Sequence, residues 1–303
     1  MILLINNMNK YKGVWTAMIT PFNEDGSIDW RSFDNLVERQ VEAKVTGIII
    51  NGTTGESPTI TDEECVDLIK RAKEKTNGKC FIMAGTGTNN TKKSVEKTKE
   101  AEKAGADIVL LVNPYYNKPT QLGLYLHFKT IAEATSLPVF LYNIKGRTGV
   151  NLETATLYKL ATEVKNIVGV KEASGELNQI KAVCELKLED FTVLSGDDNI
   201  TLEIIKSYGA DGVISVASNI VPEDMVLMVG SAIKKDYAKA EEINTKLASL
   251  FKILFIETNP IPVKYASYKM GLAQNIYRLP MCEIGEENGK QVDLVLRQMN
   301  IIK

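Results

Sequence analysis

Eight short apolar runs, separated by segments of helical character, restrict most strongly how this chain can fold. They span residues 14–20, 47–50, 81–84, 108–112, 139–142, 167–170, 191–194 and 212–215. The runs are rich in β-branched residues and apolar at successive positions. Alternation would mark a strand with one wet face; continuity marks strands covered on both faces, as in parallel sheets flanked by helices. Between the runs, residues 32–44 place Phe33, Leu36, Val37 and Val41 on one helical face. In residues 62–75, Thr61 predicts an N-cap and Glu64 falls at capping-box spacing. Residues 91–104 end at Gly105, and residues 153–162 and 199–207 fit the same scheme. Eight strand–helix units in sequence predict an α/β fold, a (β/α)8 TIM barrel. A doubly wound open sheet is the competing fold, and the regular count of eight disfavours it. Residues 222–230, 235–255, 262–271 and 289–299 read as further helices. The expected organisation is a lead-in at residues 1–9, a barrel at 10–220 and an appended helical region at 221–303.

The bulk chemistry excludes several classes. The 303 residues carry 36 Lys+Arg against 38 Asp+Glu, a net charge of −2. That leaves no footprint for nucleic acid and no polybasic patch for a membrane surface. No apolar stretch reaches about 18 residues, and Ile2–Ile5 is too short for a secretory core, so a cytoplasmic protein is expected. Cys65, Cys80, Cys184 and Cys282 are scattered without metal or disulfide spacing. His127, the one histidine, rules out a multi-histidine metal site and reads as structural or solvent-facing. Asp197–Asp198 could form a metal pair, but no other acid converges by spacing. An N-cap cluster is the better reading, and no metal is expected.

Lys171 ends an apolar run, 167–170, and is followed by Glu172-Ala173-Ser174-Gly175. A lysine there can snorkel to solvent. Alternatively, desolvation favours its neutral amine, which is a nucleophile able to form a Schiff base. In a barrel, chemistry sits just beyond the C-terminal ends of the strands. After the second run comes Gly52-Thr53-Thr54-Gly55-Glu56-Ser57, where backbone N–H groups can converge on a small anion or simply form a turn. Gly85-Thr86-Gly87 lacks the third glycine of a dinucleotide motif and reads as a turn. In Asn113-Pro114-Tyr115-Tyr116, the two tyrosines point in different directions, so one could be core and one could serve as a phenolic proton carrier. Tyr142 closes the fifth run, and Arg147 follows as a fork donor for a carboxylate, unless Tyr142 is core and Arg147 a surface cation. Lys171, Thr53-Thr54 and Tyr142 together supply an amine, a carboxylate cradle and a proton carrier. These are the parts a 2-keto acid imine needs.

The motifs Gly52–Ser57, Pro114–Pro119, Tyr142-Asn143-x-x-Gly146-Arg147-Thr148-Gly149, Gly169–Gly175, Ser195–Asp198 and Asn259–Lys264 occur in this order. In this the chain resembles the dihydrodipicolinate synthase / N-acetylneuraminate lyase family of class I aldolases, from about Gly13 to Cys282. The resemblance implies that Lys171 forms an imine with pyruvate, whose carboxylate Thr54 and nearby N–H groups hold. It implies a proton relay of Tyr142, Thr53 and Tyr116, with Tyr116 supplied by a neighbouring subunit. Gly196 and Ile214 are expected to line the pyruvate pocket. The resemblance also implies a homotetramer built from tight dimers, and no cofactor. Arg147 points to the synthase branch, whose second substrate is L-aspartate 4-semialdehyde and whose reaction opens lysine and diaminopimelate synthesis. An aldolase of N-acetylneuraminate or a 2-keto-3-deoxy acid is the alternative. A non-catalytic barrel that binds a small anion is a more distant one.

Two positions depart from the family pattern. Lys145 stands where the family usually has proline, and is expected to loosen Arg147 or add a cation near a dianionic substrate. Lysine-sensitive relatives commonly carry a histidine pair and an acid where this chain has Asp62, Cys65 and Lys93, although Asn89 and Tyr115 remain. Weak or absent inhibition by lysine is expected.

Overall fold

The computed structural model describes residues 10–303; the expected lead-in at 1–9 lies outside the described residues. The strands are β1 (Gly13–Ala17), β2 (Gly47–Ile50), β3 (Phe81–Gly85), β4 (Ile108–Val112), β5 (Val139–Asn143), β6 (Ile167–Glu172), β7 (Thr192–Ser195) and β8 (Gly212–Ser215). They pair in chain order, all in parallel, and β8 pairs back onto β1 to close a barrel. This is the (β/α)8 TIM barrel with a C-terminal helical region that the eight apolar runs predict.

The helices are α1 (Trp30–Glu42), α2 (Asp62–Thr76), α3 (Thr91–Ala104), α4 (Gln121–Ala132), α5 (Lys145–Thr148), α6 (Thr154–Glu163), α7 (Leu177–Cys184) and α8 (Thr201–Tyr208). After the last strand come α9 (Pro222–Ile233), α10 (Tyr237–Ile253), α11 (Ile261–Lys269) and α12 (Glu286–Gln298). Local chemistry sets their ends. Thr61 and Glu64 form the reciprocal capping box at the start of α2. Asn90 caps α3, and Gly105 ends it in the left-handed conformation, φ 95°, which costs glycine nothing. Helix α9 packs against β1, β8 and α8, so it covers the seam where the barrel closes.

Two cores result. The outer one lies between strands and helices and contains Ile48, Ile82, Val109, Leu141, Val170 and Val213. The inner one fills the barrel with Trp15, Ile49, Met83, Leu110, Phe140, Tyr142, Leu194 and Ile214. Its lower layer is aromatic, with Trp15 stacked on Phe81 at 6.0 Å and tilted against Phe140 at 6.4 Å. Glycines make room for these rings. A Cβ on Gly47 would stand 2.3 Å from the Trp15 ring, and one on Gly169 would stand 2.3 Å from Phe140. The barrel is thus plugged from below, and its upper layer is left to form the floor of a cavity.

Candidate active site

That cavity, about 470 Å³, opens at the C-terminal ends of the strands. Its floor is Ala17, Ile49, Leu110, Tyr142 and Ile214, the upper layer of the inner core. Lys171, Thr53, Thr54, Arg147 and Gly196 also line it, so every expected site residue except Tyr116 converges there.

Lys171 is buried near the end of β6, 8% exposed, and does not snorkel to solvent. It is directly in register with Tyr142 on β5, and its Nζ lies over the tyrosine ring, 4.2 Å from the centroid. Among the described residues Lys171 forms no ion pair. Glu172, next in the chain, faces the other side of the sheet, where Asn143 Nδ2 and the Ser174 N–H donate to it at 3.0 and 2.8 Å. Gly196 is required at its position. A Cβ there would meet Lys171 Cε at 3.0 Å and Ala173 Cβ at 2.4 Å.

The loop after β2 supplies the anion cradle. Among the described residues the N–H groups of Thr53 and Thr54 donate to no protein acceptor. Free amides beside a cavity are ready donors for a carboxylate. The loop is held from behind by Thr20 Oγ1, which donates to the Gly55 carbonyl at 2.8 Å. Below it, Glu56 and Lys264 form an ion pair with side chains 1% and 0% exposed. Glu56 also accepts from the Arg278 N–H at 3.1 Å. Burial pulls the Lys264 ammonium below the usual lysine range, against the attraction of Glu56.

A profile of the dihydrodipicolinate synthetase family matches residues 10–299. The chain belongs to this family. A 4-hydroxy-tetrahydrodipicolinate synthase of Endomicrobium trichonymphae is 47% identical over 97% of this chain and 100% of its own length. A dihydrodipicolinate synthase of Aquifex aeolicus superposes with a TM-score of 0.94 at 44% identity, covering 96% of this chain and 99% of that one. A dihydrodipicolinate synthase of Acinetobacter baumannii, complexed with pyruvate, superposes with a TM-score of 0.94 at 44% identity, over 96% of this chain and 100% of that one.

Neither tyrosine of the Tyr115-Tyr116 pair is core. Tyr115 is 41% exposed and lines the cavity, whereas Tyr116 is 89% exposed with φ 75° and lies outside it. Two adjacent residues on an irregular loop can both face outward, because no sheet imposes alternation there. The segment carrying Arg147 is not an open loop but the one-turn helix α5, with Lys145 at its first position. Proline is favoured at that position, and in this chain lysine opens the turn instead. Lys145 is exposed and does not line the cavity, whereas the Arg147 guanidinium does, and donates to the Asn259 carbonyl at 3.2 Å. The Asp197–Asp198 pair is divided. Asp197 caps the following turn by accepting from the Asn199 N–H at 2.9 Å. Asp198 is buried, 2% exposed, and accepts from the Val216 and Ala217 N–H groups at 3.0 and 2.9 Å. Burial pushes its carboxyl up to about 6. His127 is buried and hydrogen-bonded to Thr91 at 2.9 Å, the structural alternative.

Sequence reasoning left several lining residues without a role: Lys97, Val216 and Asn259. The Asn259–Lys264 motif was visible, but a sequence gives no sign that it folds back over the loop after β2.

Proposed function

We propose that the chain is a 4-hydroxy-tetrahydrodipicolinate synthase, joining pyruvate to L-aspartate 4-semialdehyde through an imine on Lys171. The observation that carries this reading is one cavity holding a buried lysine, a tyrosine in register with it, free amides at Thr53-Thr54 and a guanidinium at Arg147. The Lys171 amine adds to C2 of pyruvate and expels water, while Thr54 and the free amides hold the carboxylate. Loss of a methyl proton gives an enamine, whose carbon attacks the aldehyde carbon of the second substrate. The aldehyde oxygen takes up a proton and becomes the 4-hydroxyl. The substrate's own amine then closes the ring on C2 and releases Lys171. Tyr142, Thr53 and Tyr116 carry the protons, and a fork donor at Arg147 suits the second carboxylate. Gly196 and Ile214 shape the pyruvate subsite. An aldolase of N-acetylneuraminate or a 2-keto-3-deoxy acid would share the imine chemistry but has less use for Arg147.

Tyr116 is exposed and does not line its own cavity, which supports its service to a neighbouring subunit within a homotetramer. Mixing Lys171→Ala chains with Tyr116→Ala chains should then restore turnover that neither gives alone.

Borohydride reduction in the presence of pyruvate tests the reading. The chain should gain the mass of a reduced pyruvate adduct on Lys171, and Lys171→Ala should gain none. Arg147→Ala should keep the adduct and lose semialdehyde turnover. An adduct on the Lys171→Ala chain, or full turnover in Arg147→Ala, would overturn it.

A further inference from the structure

Asn259 touches both residues to which carboxylates are assigned. Its Nδ2 donates to Thr54 Oγ1 at 3.0 Å, and its carbonyl accepts from Arg147 Nη2 at 3.2 Å. Thr54 and Asn259 are 2% and 5% exposed, and both line the cavity. A hydroxyl has one proton and two lone pairs. At Thr54 the Asn259 amide occupies one lone pair. Among the described residues no acceptor takes the Thr54 proton, so it is left for a group in the cavity. A donor on the oxygen also strengthens the hydroxyl as a donor in turn.

We propose that Asn259 is a positioning residue for the reaction, which rests on the imine reading above. Its side chain aims the Thr54 hydroxyl at the pyruvate carboxylate. Its carbonyl fixes the Arg147 fork, so one residue sets the spacing between the two carboxylate subsites. Asn259 follows α10 and directly precedes Pro260 and α11, and thereby makes the C-terminal region part of the substrate site.

The test reads the pyruvate concentration that half-saturates the borohydride-trapped adduct, beside KM for the semialdehyde and the melting temperature. Asn259→Leu should raise half-saturating pyruvate about tenfold, the scale of one hydrogen bond to a charged group. Semialdehyde KM should change less, because the backbone carbonyl remains. Asn259→Asp should be worse than Asn259→Leu, since a carboxylate only accepts and would turn the Thr54 proton away from the cavity. In a Thr54→Val background, Asn259→Leu should change half-saturation by no more than about twofold. Independent, multiplying losses would overturn the proposal, as would unchanged half-saturation in a folded Asn259→Leu chain. If that variant does not fold, Asn259→Asp carries the same test. Failure of the unaltered chain to form any adduct would instead remove the imine reading itself.

Discussion

Tyr142 and Lys171 sit opposite each other on adjacent parallel strands, with the lysine nitrogen 4.2 Å from the centre of the tyrosine ring. The ring face and the hydroxyl therefore have separable uses. An aromatic face attracts a cationic iminium, and the hydroxyl carries protons. Tyr142→Phe keeps the first and removes the second. The pyruvate adduct on Lys171 should persist, while turnover falls by about 10²–10⁴. Turnover within a few-fold of the unaltered chain would remove Tyr142 from the relay.

Lysine should not regulate this chain at micromolar concentration. Lys93 and Lys97 line the outer part of the cavity and occupy both oxygens of Asp62, holding its carboxyl below the usual range. A ligand ammonium would meet two cations and a carboxylate already in use. Steady-state assays across micromolar to millimolar lysine should show flat activity; half-inhibition in the micromolar range would overturn this.

Two buried groups should give the stability opposing pH dependences. Burial lowers His127 to about 4 from 6.5, so on acidification the unfolded chain takes that proton first and stability falls between those values. The size is about 3 kcal/mol. Burial raises Asp198 to about 6 from 3.8, so there the folded chain takes the proton first and acidification favours folding. His127→Gln should make the chain relatively more stable as pH drops from 6.5 to 4. Asp198→Asn should do the reverse. Denaturant midpoints across this range check both signs.

The Glu56–Lys264 pair should be costly to break from one side. Lys264→Ala leaves a carboxylate buried without its cation, and about 3–5 kcal/mol should be lost. Replacing both with apolar residues of similar size, Glu56→Leu with Lys264→Met, should cost less. Urea midpoints that rank the double variant as the less stable would contradict this.

Thiol chemistry should be confined to Cys282. It is exposed, whereas burial pushes Cys65 and Cys80 up to about 11 and Cys184 up to about 12. Ellman's reagent should react quickly with a single native thiol, and Cys282→Ser should abolish that phase.

The strands were legible because a parallel barrel demands apolar residues on both faces, and β2, β4 and β8 fall on the sequence boundaries. Helices α5 and α7 were not, and α4 was given no range. The first is a single turn, too short to show a period, and the second places Leu177, Ile180 and Val183 among polar neighbours over only eight residues. Site residues on strand ends could be read because strand order fixes their position around the mouth. Asn259 could not, since its partner Thr54 lies 205 residues earlier. Asp198 misled because the pattern of an N-cap does not reveal which of two adjacent carboxylates turns inward.

That separation bears on how the enzyme is born. The bonds from Asn259 to Thr54, Lys264 to Glu56 and Arg278 to Glu56 span 205, 208 and 222 residues. Synthesis runs from the N-terminus at about 5–20 residues per second. For many seconds a nascent chain would hold the strands of its barrel without a finished cradle. Catalytic competence would then arrive late and all at once, so a prematurely terminated product would be inert.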